Sequence, residues 1–243
     1  MIKRSYLLTT VTGIPVRVHI TLIILLIILT FSSGLFGLLY AVALFASVAL
    51  HELGHSWVAI RKGCHVREIM LLPIGGIAKM DHIPMRPRDE FLVAAAGPLT
   101  SLLVAVLAGW LGRFAFPFIS LRNVNLMLCF FNLLPVFPMD GGRIFRAFMT
   151  PRLGKLKATA LASRIGRILA VAGGIFGLIN GNFFLVVIAI FIFQSAGAEY
   201  RAVYMQQMSR DWFTDGQPAD IEVSPPPYAR KTPFWKKRFW SRK

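Results

Sequence analysis

Acidic side chains are scarce in this chain: 11 Asp and Glu stand against 27 Lys and Arg among 243 residues. Charged residues make up only 16% of the sequence, where soluble domains carry about 25%. Two cysteines, Cys64 and Cys129, are too few for a disulfide framework, which excludes a small secreted scaffold. Charge of either sign is missing altogether from five runs: Ile20–Phe31, Leu35–Ala49, Phe91–Trp110, Ile168–Ile179 and Phe183–Phe193. A bilayer core asks for about 20 mostly apolar residues per helix, and several of these runs reach that with their flanks. Hydrophobic residues accordingly reach 56%, with a mean hydropathy of +0.61. Soluble enzymes and disordered chains are excluded. What remains is an all-α polytopic membrane protein.

The breaks between apolar runs divide the chain into six membrane segments, at 16–32, 35–60, 89–112, 119–138, 160–180 and 182–200. Charge then fixes an orientation. With the N-terminus in the cytoplasm, 25 of the Lys and Arg fall inside, and only Arg113 and Arg122 fall outside. Both termini are therefore expected to be cytoplasmic in a multi-pass protein of the cell membrane. The net charge of +16 does not point to nucleic acid, because it sits in loops and in a basic tail beside the membrane. No cleavable signal is expected, since the first apolar run starts after Arg17 and no small-residue cleavage site follows it. Between segments 2 and 3, Val66–Ile69 and Ile77–Met80 flank Leu71–Gly76, which reads as a small β-hairpin around a Gly-Gly turn. A core over 1–200 and a basic, aromatic, partly disordered cytoplasmic tail over 201–243 are the expected domains.

His51-Glu52-Leu53-Gly54-His55 carries the chemistry. Residues four apart share a helix face, so both imidazoles can hold one Zn²⁺. Glu52, about 100° round the helix, can reach a water at the metal without taking a coordination site. The motif lies near the inner end of an apolar helix, where an ionisable group costs about 2.5–3.5 kcal/mol to insert and is rarely incidental. Catalytic zinc takes three protein ligands, and a local third His is absent: the extended H-E-x-x-H-x-x-G-x-x-H pattern would need Gly at 58 and His at 61, which are Val58 and Arg61. The remaining donors are Glu68, Asp81, His65, His82, Asp89, Glu90, Asp140 and Glu199. Segments 2 and 4 run in the same direction, so Asp140 at the end of segment 4 lies at the depth of the His pair. Around it, Asn132–Gly142 holds two prolines and two glycines, which predicts an unwound stretch of chain.

The His51–His55 motif in a membrane helix, together with Asn132–Gly142, resembles the site-2 protease family of intramembrane zinc metalloproteases. Gly13–His19, Pro73-Ile74-Gly75-Gly76 and Ala96-Gly97-Pro98 add to the likeness, which runs from about Gly13 to Tyr200. The resemblance implies one zinc per chain held by His51, His55 and Asp140, with Glu52 as catalytic acid/base. It implies further that Asn132 helps to position the substrate backbone or the developing oxyanion. His19, at the inner end of segment 1, is a second candidate for the substrate side. The Leu71–Met80 hairpin, at Ile74, Gly75 and Gly76, or else the unwound Asn132–Pro138 chain, is expected to take an extended substrate by strand addition. The implied partner is a single-span membrane protein cut near the cytoplasmic side, with lipid around it and no nucleic acid; a gate at segments 1 and 6 would admit it. Neither a PDZ nor a CBS domain is recognisable in the sequence. Two other readings compete: a catalytically silent zinc-binding adaptor, which the retained Glu52 disfavours, and a cation transporter, which the lack of acids within segments 3, 5 and 6 disfavours.

Overall fold

The computed structural model describes residues 5–80, 86–112 and 116–215. By internal contacts the chain falls into two units, Met1–Tyr204 and Met205–Lys243. The first begins with strands β1 (Ser5–Val11) and β2 (Ile14–His19), joined by a two-residue turn at Thr12 and Gly13. Both turn residues have positive φ, 47° and 85°, the geometry that matches the twist of a tight hairpin. Helix α1 (Ile20–Arg61) follows, then β3 (Val66–Leu72) and β4 (Gly75–Met80). The sheet order is β1-β2-β3-β4, antiparallel except for the parallel pair β2–β3.

That parallel pair dictates the shape of α1. A straight helix of 42 residues would be about 63 Å long, yet Val16 and Val18 before it pair with Ile69 and Leu71 after it. The chain must turn back, and it does so at Gly34, whose φ of 62° and ψ of −159° interrupt the helical backbone. Helix α1 is thus two arms, 20–33 and 35–61, standing on the sheet. Ile14, Val16, Ile69 and Leu71 from the sheet, Leu22, Phe45 and Val48 from the arms, and Val93 form one buried cluster that holds the arms to it. The second arm ends on the His51–His55 motif.

Helix α2 (Pro87–Leu111) packs along α1, and α3 (Phe116–Leu133) returns beside both. A buried hydrogen bond from Asn125 Nδ2 to Ser47 Oγ, 2.9 Å, ties α3 to the second arm; such interhelical bonds contribute about 0.6 kcal/mol in lipid and up to about 1.7. A short loop leads to α4 (Asp140–Leu153), and Gly154 separates that from α5 (Lys155–Ile179). The last helix, α6 (Phe183–Asp215), continues into the second unit, of which residues 205–215 are described and helical. Among the described residues, four helices are long and apolar enough to cross a membrane: α1, α2, α5 and Phe183–Ser209 of α6.

The structure departs from the sequence expectations in five places. The first membrane segment was expected from residue 16, but 14–19 are strand β2, because Pro15, Arg17 and His19 alternate with buried or half-buried apolar residues. The expected hairpin is one half of a four-stranded sheet whose other half comes from the N-terminus, and its strands extend to Leu72 and Gly75 around Pro73-Ile74. The unwound stretch is only 134–139; Asn132 and Leu133 remain helical, and the helix stops before Leu134, the residue that Pro135 disfavours in the α conformation. The basic stretch Gly141–Lys157, expected as a break, contains helix α4. Helix α6 also runs past 200, and the Pro-rich basic tail beyond 215 lies outside the described residues.

Candidate active site

Three side chains from two distant stretches of sequence meet where the second arm of α1 crosses the start of α4. His51 Nε2 lies 3.1 Å from Asp140 Oδ2, His55 Nε2 lies 3.1 Å from the same oxygen, and the two Nε2 atoms are 3.2 Å apart. All three residues are buried. Asp140 reaches this point as the first residue of α4, delivered by the loop 134–139. Phe137 anchors that loop by packing on Ala162 of α5 and Ala196 of α6. At Gly141 a Cβ would collide with the Leu133 and Leu134 carbonyls, so glycine there lets the helix start directly against the loop.

Outer contacts aim the imidazoles. His55 Nδ1 lies 2.7 Å from the Val93 carbonyl oxygen, which only accepts, so that nitrogen carries the proton. His51 Nδ1 lies 2.9 Å from Ser101 Oγ. With Nδ1–H committed to Val93, the neutral form of His55 directs its Nε2 lone pair toward the Asp140 oxygen and the His51 ring nitrogen. Two imidazole nitrogens and a carboxylate oxygen facing one another at about 3 Å make a donor set that can hold a cation. The dimensions suit zinc: tetrahedral bonds of about 2.0–2.1 Å give ligand–ligand edges of about 3.3 Å. His₂Asp also leaves one of zinc's four positions open, as a catalytic ion requires. The donor set therefore fits zinc in both chemistry and spacing.

Helix α2 makes the space. Gly97 faces the His pair so closely that a Cβ would stand 2.7 Å from His51 Nε2 and nearer still to the His55 ring. Gly76 does the same for Glu52: a Cβ on this β4 residue would run into the Glu52 Cγ. Glu52 thus lies between the metal-binding pair and an edge strand of the sheet, with Val48 beside it.

Most of the other donors are engaged elsewhere. Glu68 pairs with Lys79 at 2.6 Å and with Arg17 at 3.5 Å, which holds its carboxyl below the ordinary range, the hydrogen bond from Lys79 contributing most. Asp89 pairs with Lys62 at 2.9 Å. Glu90 and Glu199 both bind the buried Arg146, so α2, α4 and α6 are joined through one guanidinium. His65 is exposed, and Asp81 and His82 lie outside the described residues. His19 caps the first arm of α1, its Nδ1 taking the Thr21 N–H at 3.3 Å. Asn132 donates to the Leu128 carbonyl one turn back, at 2.9 Å. Ile74 is exposed at the β3–β4 turn, with Gly75 and Gly76 opening β4.

Ser101, the Val93 carbonyl and the Glu90–Arg146–Glu199 bridge were not anticipated as parts of the site. A spacing signal did exist for two of them: Val93 and Ser101 are eight residues apart, about two helical turns, with Gly97 midway on the same face.

The profile of Peptidase family M50 matches residues 39–118 and 112–173, a region that includes His51, Glu52, His55 and Asp140. A zinc metalloprotease of Methanocaldococcus jannaschii is 38% identical over 218 residues; the match covers 85% of this chain and 64% of that protein. The stage IV sporulation protein FB of Bacillus subtilis is 33% identical over 119 residues, covering 47% of this chain and 41% of that one. Among solved structures, the site-2 protease from Methanocaldococcus jannaschii superposes with a TM-score of 0.64 at 39% identity, covering 81% of this chain and 95% of that one. The chain spans less than two thirds of the length of the curated relatives it matches.

Proposed function

The chain belongs to Peptidase family M50, and from that premise we propose that it is an intramembrane zinc metalloendopeptidase that cuts membrane-spanning substrates near the cytoplasmic face. The observation that carries this reading is the convergence of His51, His55 and Asp140 with Glu52 alongside, on chain that enters and leaves apolar helices. Zinc, when bound, supplies a Lewis acid that polarises the scissile carbonyl and acidifies water. His51, His55 and Asp140 would hold it, and the contacts from the two histidine Nδ1 atoms to Ser101 Oγ and the Val93 carbonyl keep both rings aimed. Glu52 takes the proton of the attacking water and passes it to the leaving amide nitrogen. In this reading Asn132 and His19 serve on the substrate side, in positioning roles.

A helical substrate must unwind before its carbonyls can be attacked. Strand β4 lies at an edge of the sheet and touches Glu52 through Gly76, so an extended segment added along Gly75–Met80 would arrive beside the catalytic carboxylate. The two arms of α1, with α2, α3, α5 and α6, supply the six spans of the proposed topology. The split of 25 basic residues to 2 supports cytoplasmic termini. Entry between the first arm of α1 and α6, a core over 1–200 and a separate tail over 201–243 belong to the same proposal.

Reconstituted protein should release a fragment from a single-span substrate in a Glu52-dependent manner. Glu52→Gln should keep one zinc per chain and lose about 10²–10⁴-fold in rate, the usual contribution of a general base. Equal cleavage by the variant would contradict the assignment. Zinc without cleavage in both proteins would favour an adaptor, and zinc flux into sealed vesicles would favour a transporter.

A further inference from the structure

Helices α5 and α6 part along an open groove of about 520 Å³, away from the metal-binding cluster. Arg164, Arg167 and Tyr200 line one portion of it, and Ile168, Val171 and Phe193 line the rest. Ser163 Oγ donates to the Ala196 carbonyl at 2.7 Å and pins the two helices together at the edge of the groove. Arg167 is sunk between the helices: its guanidinium stands 5.5 Å from the Phe193 ring, and its Nη2 comes within 2.8 Å of where a Gly197 Cβ would be. Its Nε is shut off from solvent and has no hydrogen-bond partner among the described residues. No carboxylate among the described residues pairs with Arg164 or Arg167; Glu199, next to Tyr200 in the sequence, is committed to Arg146.

The order of these residues along the helices is informative. Helix α5 runs away from the basic end of the bundle, starting at Lys155, and α6 runs toward it, reaching Arg201. The cationic and phenolic groups therefore sit at the charged end of the groove, and the apolar walls extend toward the bundle's interior depth. A free anion would use only the first part. A molecule with a negative head and hydrocarbon tails uses both.

We propose that this groove binds the phosphodiester headgroup of an anionic phospholipid, with Arg164 and Arg167 on the phosphate and an acyl chain along Ile168, Val171 and Phe193. A guanidinium stacked near an aromatic ring still presents its N–H edge, which suits phosphate oxygens. Basic pockets between helices at the cytoplasmic side commonly serve this purpose.

The test is native mass spectrometry of the full chain in detergent, titrated with phosphatidylglycerol or with phosphatidylcholine of the same acyl chains. One phosphatidylglycerol should remain bound in preference to phosphatidylcholine. The double substitution Arg164→Gln/Arg167→Gln should weaken it about thirtyfold, at roughly 1 kcal/mol for each arginine. Arg167→Lys should retain most of the preference, and Lys155→Gln/Lys157→Gln, which removes two charges of the same helix outside the groove, should leave it intact. Unchanged zinc content and melting temperature in the double variant show that it is folded. Equal retention of the two lipids, equal weakening by the Lys pair, or complete displacement of the lipid by excess inorganic phosphate would each overturn the proposal.

Discussion

Helices α2 and α6 are both apolar enough to cross a membrane, yet they meet their surroundings in opposite ways. In the most apolar stretch of α2, 44% of residues are buried within the protein, against 17% in α6. Most of the buried residues of α2 are small, Ala94, Ala96, Gly97, Ser101, Ala105 and Ala108, whereas α6 turns Phe183, Phe184, Val187 and Ile190 outward. Lipid tails accept large apolar side chains as readily as a protein interior does. What draws helices together is close approach of small residues and hydrogen bonding. The face of α2 that lets helices approach is also the face that admits two imidazoles and offers them Ser101 and Val93. Packing and chemistry share one stripe there, and they are separate along α6.

The sharpest way to break that contrast is at Gly97. Gly97→Val would place methyl groups in the space of His51 Nε2 and the His55 ring. Stoichiometric zinc and all cleavage should be lost, as measured by metal analysis and fragment release. The matched change Gly173→Ala in α5, where a Cβ meets nothing within 4 Å, should leave both unaltered.

Charge gives the next test. Arg146→Gln leaves Glu90 buried without its cation and should destabilise the protein by about 3–5 kcal/mol, read as a fall in melting temperature. Arg164→Gln, on the exposed side of α5, should stay within about 0.5 kcal/mol. Ser101→Ala should be milder than either loss at the core: the fold survives, and zinc affinity measured against a competing chelator drops about 10–100-fold.

The smallest effect belongs to the sheet. Glu68, outside the membrane-spanning helices, has its carboxyl depressed by Lys79, so its contribution to the β3–β4 pairing is present at neutral pH and is lost as pH falls through its lowered value. Wild type should loosen slightly in that acidic window by hydrogen exchange of β3 and β4, and Glu68→Gln should show no such pH dependence. An equal loosening in the variant would assign the effect to another group.

Much of this was readable in advance, for reasons that differ along the chain. His51 and His55 are four apart in one helix, so a single local rule places both rings. Asp140 could be matched to them by depth because the apolar runs fix the direction of each segment. Pro135, Pro138, Gly141 and Gly142 announced a break, although only 134–139 departs from the helix. Strands β1 and β2 were harder to see, because Ile14–His19 runs straight into an apolar helix and its pairing partner lies about 50 residues later. The roles of Ser101, Val93 and Arg146 depend on which helix faces which. The pairing of Arg146 with Glu90 and Glu199 follows from tertiary contact alone.

The most direct test of the account is zinc K-edge absorption spectroscopy on the purified chain and on His55→Ala. The account predicts one zinc per wild-type chain, with nitrogen and oxygen neighbours at about 2.0–2.2 Å and no sulfur, and loss of that signal in the variant. A first shell containing sulfur at about 2.3 Å, or a spectrum unchanged by removal of His55, would contradict it.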